Sequence, residues 1–397
     1  MVLSTVSDQL QRIRDIAPVL RLNAAAGEAN RAITDEAHDA LVNAGLFDLA
    51  KPRAFGGAES DLVTIVRALR EVSKADGSAG WCAMISGVYS SFAALLPEAG
   101  AREVFASSPT IIAGALGPGG QAIKVDGGYR VSGRWPFGSN APHANWFCGG
   151  ALVIENGAPI MLTPEMPLIR LFLFPREVVT IIDTWQTTGL KGTGSHDYAI
   201  NDVFVPEHRT FWFSDQPRVD APLYHLPVVA SYGLAIAAVT VGIAEHMLEA
   251  FRALAPVKKP ILSPLTLQEK PNVHDRAGRA LATVRAAAAY LDQTAIEAYA
   301  IVERGGLLNW EERGGLWLAA THAAQMAYGA IEELYTISGA SGVYASNDFD
   351  RCLRDARTAV QHVMTQFVNY ETAGKQFLGL DVKMSSWRFD YRPGDPD

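Results

Sequence analysis

The residues best suited to chemistry fall in three short stretches. The first is Trp135-Pro136-Phe137-Gly138-Ser139-Asn140, where two aromatics, a proline, a glycine and two small polar residues crowd into six positions. Planar aromatics pack along a flat ring system, and Ser139 with nearby amides offers hydrogen bonds to a polar edge, so the stretch could face a flavin. A strand end buried under helices suits the same residues as well. The second runs from Asp183 through Trp185 and Leu190-Lys191-Gly192-Thr193-Gly194 to Ser195; its glycines, lysine and hydroxyls let backbone approach an anionic or polar ligand closely. The third is Arg354-Asp355-Ala356 followed by Gln361-His362. Cys352, Ala356, Ala359, Val363 and Phe367 recur at helical spacing as an apolar stripe with His362 at its edge, where an imidazole meets both core and cavity. There it could move a proton or hydrogen-bond a ligand, although a lone histidine in such a place is more often satisfied by a carbonyl.

These stretches need a frame. Residues 1–107 read as helical: Leu10, Ile13, Ile16, Leu20 and Leu22 set an early period, Thr34-Asp35-Glu36 starts a helix that stops at Gly45, and helices over 61–75 and 78–96 meet at Asp76-Gly77. The 78–96 helix is nearly free of charge, so it is buried or lines a pocket. Residues 108–222 change to short β-branched and aromatic runs, with strands expected at 110–115, 122–125, 129–135, 146–153, 160–163, 178–183 and 198–205, spaced as in a compact barrel or sandwich. The first pair of chemistry-bearing strands is a hairpin, because Asp126-Gly127 supplies the two-residue turn. Residues 223–397 return to helix in four pieces, 223–254, 272–304, 312–337 and 350–378, whose alanines suit an antiparallel four-helix bundle that oligomerises. The tail from Arg392 is expected to be loose or to lie across a partner.

Composition narrows the classes. The 397 residues are 49% hydrophobic and carry a formal charge of -8, so no basic surface invites nucleic acid. Cys82, Cys148 and Cys352 lie far apart, against a disulfide framework or a metal site and in keeping with a reducing cytoplasm. No secretory signal opens the chain. Leu226 to Ala244 is uncharged, but Pro227, Ser231, Gly233 and Gly242 interrupt it, which fits a buried bundle helix and no membrane contact. Gly117-Pro118-Gly119-Gly120 and Gly192-Thr193-Gly194 lack the third glycine and the helix of a dinucleotide fingerprint, and P-loop, zinc-protease and serine-hydrolase motifs are missing.

The order of helical domain (1–107), β-domain (108–222) and four-helix bundle (223–397) resembles the acyl-CoA dehydrogenase fold, an α+β and mostly α architecture. Gly128-Tyr129-Arg130-Val131-Ser132-Gly133, Asn145-Trp146, the 189–195 loop and Arg354-Asp355-Ala356 look like its segments. Within that superfamily, Asp76-Gly77-Ser78-Ala79-Gly80-Trp81, Trp135 to Ser139 and Gln361-His362 are most similar to oxygenase components of two-component flavin-dependent monooxygenases. The carboxylate that dehydrogenases of medium-chain type carry nine residues past the arginine is replaced by Val363, and Glu371 lies about two helical turns too far along.

The resemblance implies reduced FMN or FAD delivered by a separate reductase, O2, a C4a-hydroperoxyflavin, an aromatic or polycyclic small-molecule substrate, and a homotetramer. It implies catalytic roles for His362, Ser139 and Tyr89, the last standing where several relatives have histidine. It implies flavin contacts from Trp135, Phe137, Ser139, Trp185, Lys191, Thr193, Gly194 and Ser195, with Ser341 and Tyr344 reaching a neighbouring subunit's flavin. Trp81, Phe92, Trp146 and Tyr232 are candidate substrate-pocket walls, explained equally well as core. The alternatives are an FAD-dependent acyl-CoA dehydrogenase, an amino-sugar oxygenase, and a non-catalytic flavin-fold module.

Overall fold

The computed structural model describes residues 6–106, 109–164, 166–382, 387, 392 and 395–396. Five helices come first: α1 (Val6–Asn30), α2 (Asp35–Asn43), α3 (Leu62–Ala75), α4 (Gly77–Tyr89) and α5 (Glu98–Phe105). Side chains start three of them, since Thr34, Asp61 and Asp76 accept the N–H of Ala37, Thr64 and Ala79 at 3.2, 2.8 and 2.8 Å. α2 gives way at Gly45, whose φ of 75° suits glycine. Every residue of α4 is buried, as its uncharged sequence requires. In α1, Ile13 and Leu20 turn inward while Leu22 stays exposed, because two residues carry the chain past half a turn.

The middle segment is built of β1 (Ile112–Val125), β2 (Gly128–Gly138), β3 (Trp146–Glu155), β4 (Ala158–Pro159), β5 (Met161–Thr163), β6 (Met166–Pro167), β7 (Ile169–Pro175), β8 (Thr180–Ile182), β9 (His196–Pro206) and β10 (Thr210–Phe211). Its main sheet runs β10-β7-β3-β1-β2-β9-β8, with β4 added beside β3 and with β5 and β6 paired separately. β1 and β2 close on Val125 opposite Gly128, so Asp126-Gly127 is the two-residue turn and Gly127 has φ 73°. The strands expected at 110–115 and 122–125 are one strand. Its Pro and Gly residues mark register shifts between Ala115, Pro118 and Gly120 and do not end it. β7 falls outside the expected strands, because its buried Leu171 to Phe174 show no alternation.

Trp135 organises the sheet from within. It is fully buried, its indole N–H donates to the Gly150 carbonyl at 2.7 Å, and its ring stacks on Tyr198 at 5.4 Å. A Cβ at Gly119, Gly120, Gly133 or Gly149 would come within 2.5 to 2.7 Å of that indole, so four glycines on three strands make its slot. β2 then changes register between Trp135 and Gly138, and Phe137 takes φ 61°. This lifts Phe137 and Ser139 off the sheet.

The last segment contains α6 (Pro222–His225), α7 (Val228–Leu254), α8 (Pro271–Glu303), α9 (Trp310–Ser338), α10 (Asp348–Ala359) and α11 (Val368–Phe377). Among the described residues only α7 is long and apolar enough to cross a membrane, and it is sheathed by α3, α8, α9 and α10. The helix expected over 350–378 is two helices. Between them the chain turns at His362, so the apolar stripe ends at Ala359 and Val363 and Phe367 are exposed. The described tail residues lie on their own chain: Arg392 donates to the Tyr224 carbonyl at 3.1 Å, and Asp395 pairs with the buried Arg313.

Candidate active site

Three elements meet at Leu190. Asp355, buried on α10, accepts the Leu190 N–H at 2.6 Å, and Leu190 is held at φ 49°. Its carbonyl takes three donors, the Thr193 hydroxyl at 2.7 Å, the Trp185 indole at 3.0 Å and the Thr193 N–H at 3.1 Å. Next to it, Gly189 lies so close to α10 that a Cβ would stand 2.0 Å from the Arg354 carbonyl oxygen. Arg354 grips the loop further by donating to Thr188 at 2.7 Å and pairing with Asp350 and Glu28. Burial, followed by the nearby carboxylate of Asp76, pushes the Asp355 pKa up to about 7.

From Leu190 a row of hydrogen bonds runs to α4, and its direction is fixed. Thr193 donates to the Leu190 carbonyl, so across 2.7 Å it must accept the Ser195 proton; Ser195 must then accept that of Ser139 across 2.8 Å. The indole N–H of Trp81 donates to Ser139 Oγ at 3.0 Å. All four side chains are buried. Ser139 therefore has its proton committed and a lone pair to offer. Thr193 and Ser195, expected to touch a ligand, stand behind Ser139 and set its polarity, and Gly194 (φ 53°) turns the chain between them.

His362 lies across Trp81, with ring centroids 5.9 Å apart, and starts the turn after α10. Its Nδ1 accepts the Met364 N–H at 3.3 Å, which leaves the proton on Nε2. Loss of hydration pulls its pKa down to about 4, so at neutral pH His362 is an uncharged donor. The expected role as a base loses support, because the basic nitrogen is already engaged. Beside Ser139, Asn140 is 1% exposed with neither end of its carboxamide paired. Phe137 stands 64% exposed, edge-on to the buried Trp185 at 6.2 Å. An exposed aromatic face, a hydroxyl acceptor and an orphaned amide suit a large planar ring with a polar edge, which is what a flavin presents.

Other expected residues have different places. Trp135 is enclosed by the sheet and cannot touch a ligand there. Tyr89 donates to the Gly114 carbonyl at 3.3 Å and stacks on Phe92; burial raises its pKa, so it stays a protonated wall and not an acid or base. Phe92 is core among Phe211 and Phe213, and Trp146, at the start of β3, lies under the Arg209 guanidinium at 5.4 Å. Neither lines a described cavity, whereas Tyr232 does. Lys191 sits 3.6 Å from Glu28 on a polar cleft shared with Arg31, Arg351 and Arg354. Ser341 is buried with its carbonyl accepting from Asn347 at 2.8 Å, while Tyr344 is exposed. Glu371 is an exposed acid 2.6 Å from Lys375. The Leu190–Asp355 joint and the donor role of Trp81 escaped the sequence reading; Asp355 within its arginine motif was the available signal.

Residues 234–367 match the family described as acyl-CoA dehydrogenase, C-terminal domain. The chain is 31% identical over 353 residues to indole-3-acetate monooxygenase of Pseudomonas putida, covering 89% of each. It is 30% identical over 370 residues to the flavin-dependent monooxygenase oxygenase subunit HsaA of Rhodococcus jostii, covering 89% of this chain and 93% of the relative. XiaF from Streptomyces sp., solved in complex with FADH2 and glycerol, superposes with a TM-score of 0.89 at 27% identity, over 95% of this chain and 96% of that one. Helices, sheet and bundle thus form the acyl-CoA dehydrogenase fold. Within it, the chain belongs to the family of flavin-dependent monooxygenase oxygenase components.

The raised pKa of Asp355 has a consequence for stability. The folded protein holds a proton there that the unfolded chain, with an ordinary carboxylate pKa, releases; the stabilisation is complete below about pH 4 and is lost as pH rises through about 7. Asp355→Asn keeps an acceptor for Leu190 and removes this titration. Its thermal midpoint should fall less than that of wild type between pH 5 and pH 8, an interval that spans the folded pKa; parallel curves would refute the assignment.

Proposed function

We propose that this chain hydroxylates a small aromatic or polycyclic molecule in the cytoplasm, using O2 and reduced FMN or FAD made by a separate reductase. The observation that carries this reading is the fixed polarity of Ser139. A flavin bears a ring N–H at N5 only when reduced, and Ser139 Oγ, with its proton committed to Ser195, is an acceptor for such a donor. When bound, the reduced flavin would supply the two electrons that activate O2, and O2 the oxygen atom transferred. The protein's part is to hold the ring beside Phe137 and Asn140, to keep water out with α4, and to offer the His362 Nε2–H to the developing negative charge. Relatives named as hydroxylases of resorcinol and as the HsaA oxygenase subunit support an aromatic substrate and a separate reductase. Exposed apolar residues such as Val343, Tyr344, Phe367, Val368, Phe377 and Leu378 favour self-association, of which a homotetramer is the form we propose.

Stopped-flow mixing of protein and reduced flavin with oxygenated buffer should reveal a species distinct from both reduced and oxidised flavin before the oxidised spectrum appears. Direct conversion with both FMN and FAD would sink the reading. Reduced flavin should bind more tightly than oxidised, and Ser195→Ala, by freeing the Ser139 proton to donate, should narrow that ratio by about fivefold. His362→Ala should leave flavin affinity unchanged and cut product formed per flavin oxidised by about 10²-fold. Because the His362 pKa lies near 4, the wild-type yield should not vary with its titration above about pH 6.

A further inference from the structure

Side chains hold the turn that carries His362, in place of a helix's own bonds. α10 ends at Ala359 and α11 begins at Val368; between them the carbonyls of Val363, Met364 and Thr365 accept from Asn369 at 3.2 Å, from the Thr321 hydroxyl at 3.3 Å and from Gln325 at 2.8 Å. Thr321 and Gln325 are one turn apart, so a single face of α9 meets the last two carbonyls. Asn369 does more. Its Nδ2 also donates to Thr321 Oγ1 at 3.0 Å, and since that hydroxyl has spent its own proton on Met364, both amide protons of Asn369 are in use. Asn369 is 2% exposed and Thr321 fully buried, so water does not compete for these bonds.

One peptide group joins Asn369 to the imidazole. The carbonyl of Val363 and the N–H of Met364 belong to the same planar unit and point in opposite directions. Asn369 takes the first, and the second donates to His362 Nδ1 at 3.3 Å. Rotating that plane would withdraw both bonds together. The contact to Nδ1 is long for a hydrogen bond and holds the plane weakly by itself, so the amide of Asn369 is what stops it turning. On its other side His362 is pinned through its carbonyl, which accepts the Thr365 N–H at 2.8 Å and the Thr365 hydroxyl at 3.1 Å.

We propose that Asn369 is a positioning residue for His362: through the Val363–Met364 peptide, and with Thr321 behind it, Asn369 decides which imidazole nitrogen carries the proton and keeps the Nε2–H at the disposal of the site. The consequence for oxygen transfer rests on the monooxygenase reading above, whereas the choice of tautomer does not.

The test reads the ring nitrogens directly. Magic-angle-spinning spectra of the full chain labelled with nitrogen-15 histidine, with His362→Ala identifying the signals, should show wild-type His362 at neutral pH as the Nε2–H form alone. Asn369→Leu, which keeps the branched shape without a donor, should add the signals of the Nδ1–H form. Thr321→Val should do the same to a smaller extent, and Thr321→Ser, which restores the hydroxyl, should return the wild-type spectrum. Product formed per flavin oxidised should fall about fivefold in Asn369→Leu and stay at the wild-type level in Thr321→Ser. In a His362→Ala background Asn369→Leu should cost nothing further, a result that a merely structural role does not produce. A lone Nε2–H form in the Asn369→Leu and Thr321→Val proteins, or an equal loss of product with and without His362, overturns the proposal. If Asn369→Leu does not fold, Thr321→Val, which removes only a hydroxyl, decides by the same spectra. These spectra involve neither flavin nor O2. If the tautomers shift as stated while the wild-type protein transfers no oxygen from reduced flavin and O2, the positioning role stands and the monooxygenase reading falls.

Discussion

The site depends on one residue, Leu190, being held by both of its peptide groups. Its N–H is taken by the buried carboxyl of Asp355 on the bundle, and its carbonyl collects the Thr193 hydroxyl and the Trp185 indole. A leucine at φ 49° is disfavoured by about 1–2 kcal/mol in isolation, so the contacts must over-determine it. They do so from three directions, the bundle, the loop and the row of hydroxyls. Asp355 sits with Asp76, the cap of α4, and Arg351 provides the compensating charge for both. The start of the helix bearing Trp81 and the anchor of the 183–195 loop therefore share one buried charge cluster. Displacing that cluster would move the donor and the acceptor of Ser139 together.

A second constraint comes from Trp135. An indole inside a sheet needs space, and the four glycines around it supply that space at the cost of side chains that would otherwise stiffen β1, β2 and β3. Its own N–H is satisfied by Gly150, so the ring belongs wholly to the interior. Two residues later the strand shifts register, and Phe137 and Ser139 leave the sheet. The large buried ring and the exposed one thus have linked jobs: Trp135 fixes where β2 bends, and the bend presents Phe137.

Helix starts, the Asp126-Gly127 turn and the buried α7 were legible because each rests on local chemistry: a capping oxygen, a positive φ, an uncharged run. The order of helices, sheet and bundle, and with it the flavoprotein family, was legible from motifs quoted over the whole chain. β7 was not, since a strand buried on both faces leaves no period of two, and neither was the break after Ala359, where nothing in Val360-Gln361-His362 stops a helix by propensity alone. Within the site, residue types were readable but facing was not. Trp135 and Phe137 are neighbours of similar character on one strand, yet the structure buries one and exposes the other. Asn369 was not legible at all, because its bond to a carbonyl six residues back is visible only once the intervening turn is placed.

Polarity at the site is divided between two adjacent residues. Ser139 has no freedom: four donors in sequence, from Trp81 to Thr193, fix which way its proton points. Asn140 has no protein partner at either end, and its amide can present oxygen or nitrogen by a half-turn of its terminal torsion. A ring lying against both would be tested by Ser139 for a donor and accommodated by Asn140 whatever its edge pattern. Selection between the two redox states of a flavin would then reside in one oxygen atom. That atom's bias originates two hydrogen bonds beyond Ser195, at the carbonyl of Leu190, so the contact that builds the loop would also decide which form of a bound cofactor is preferred.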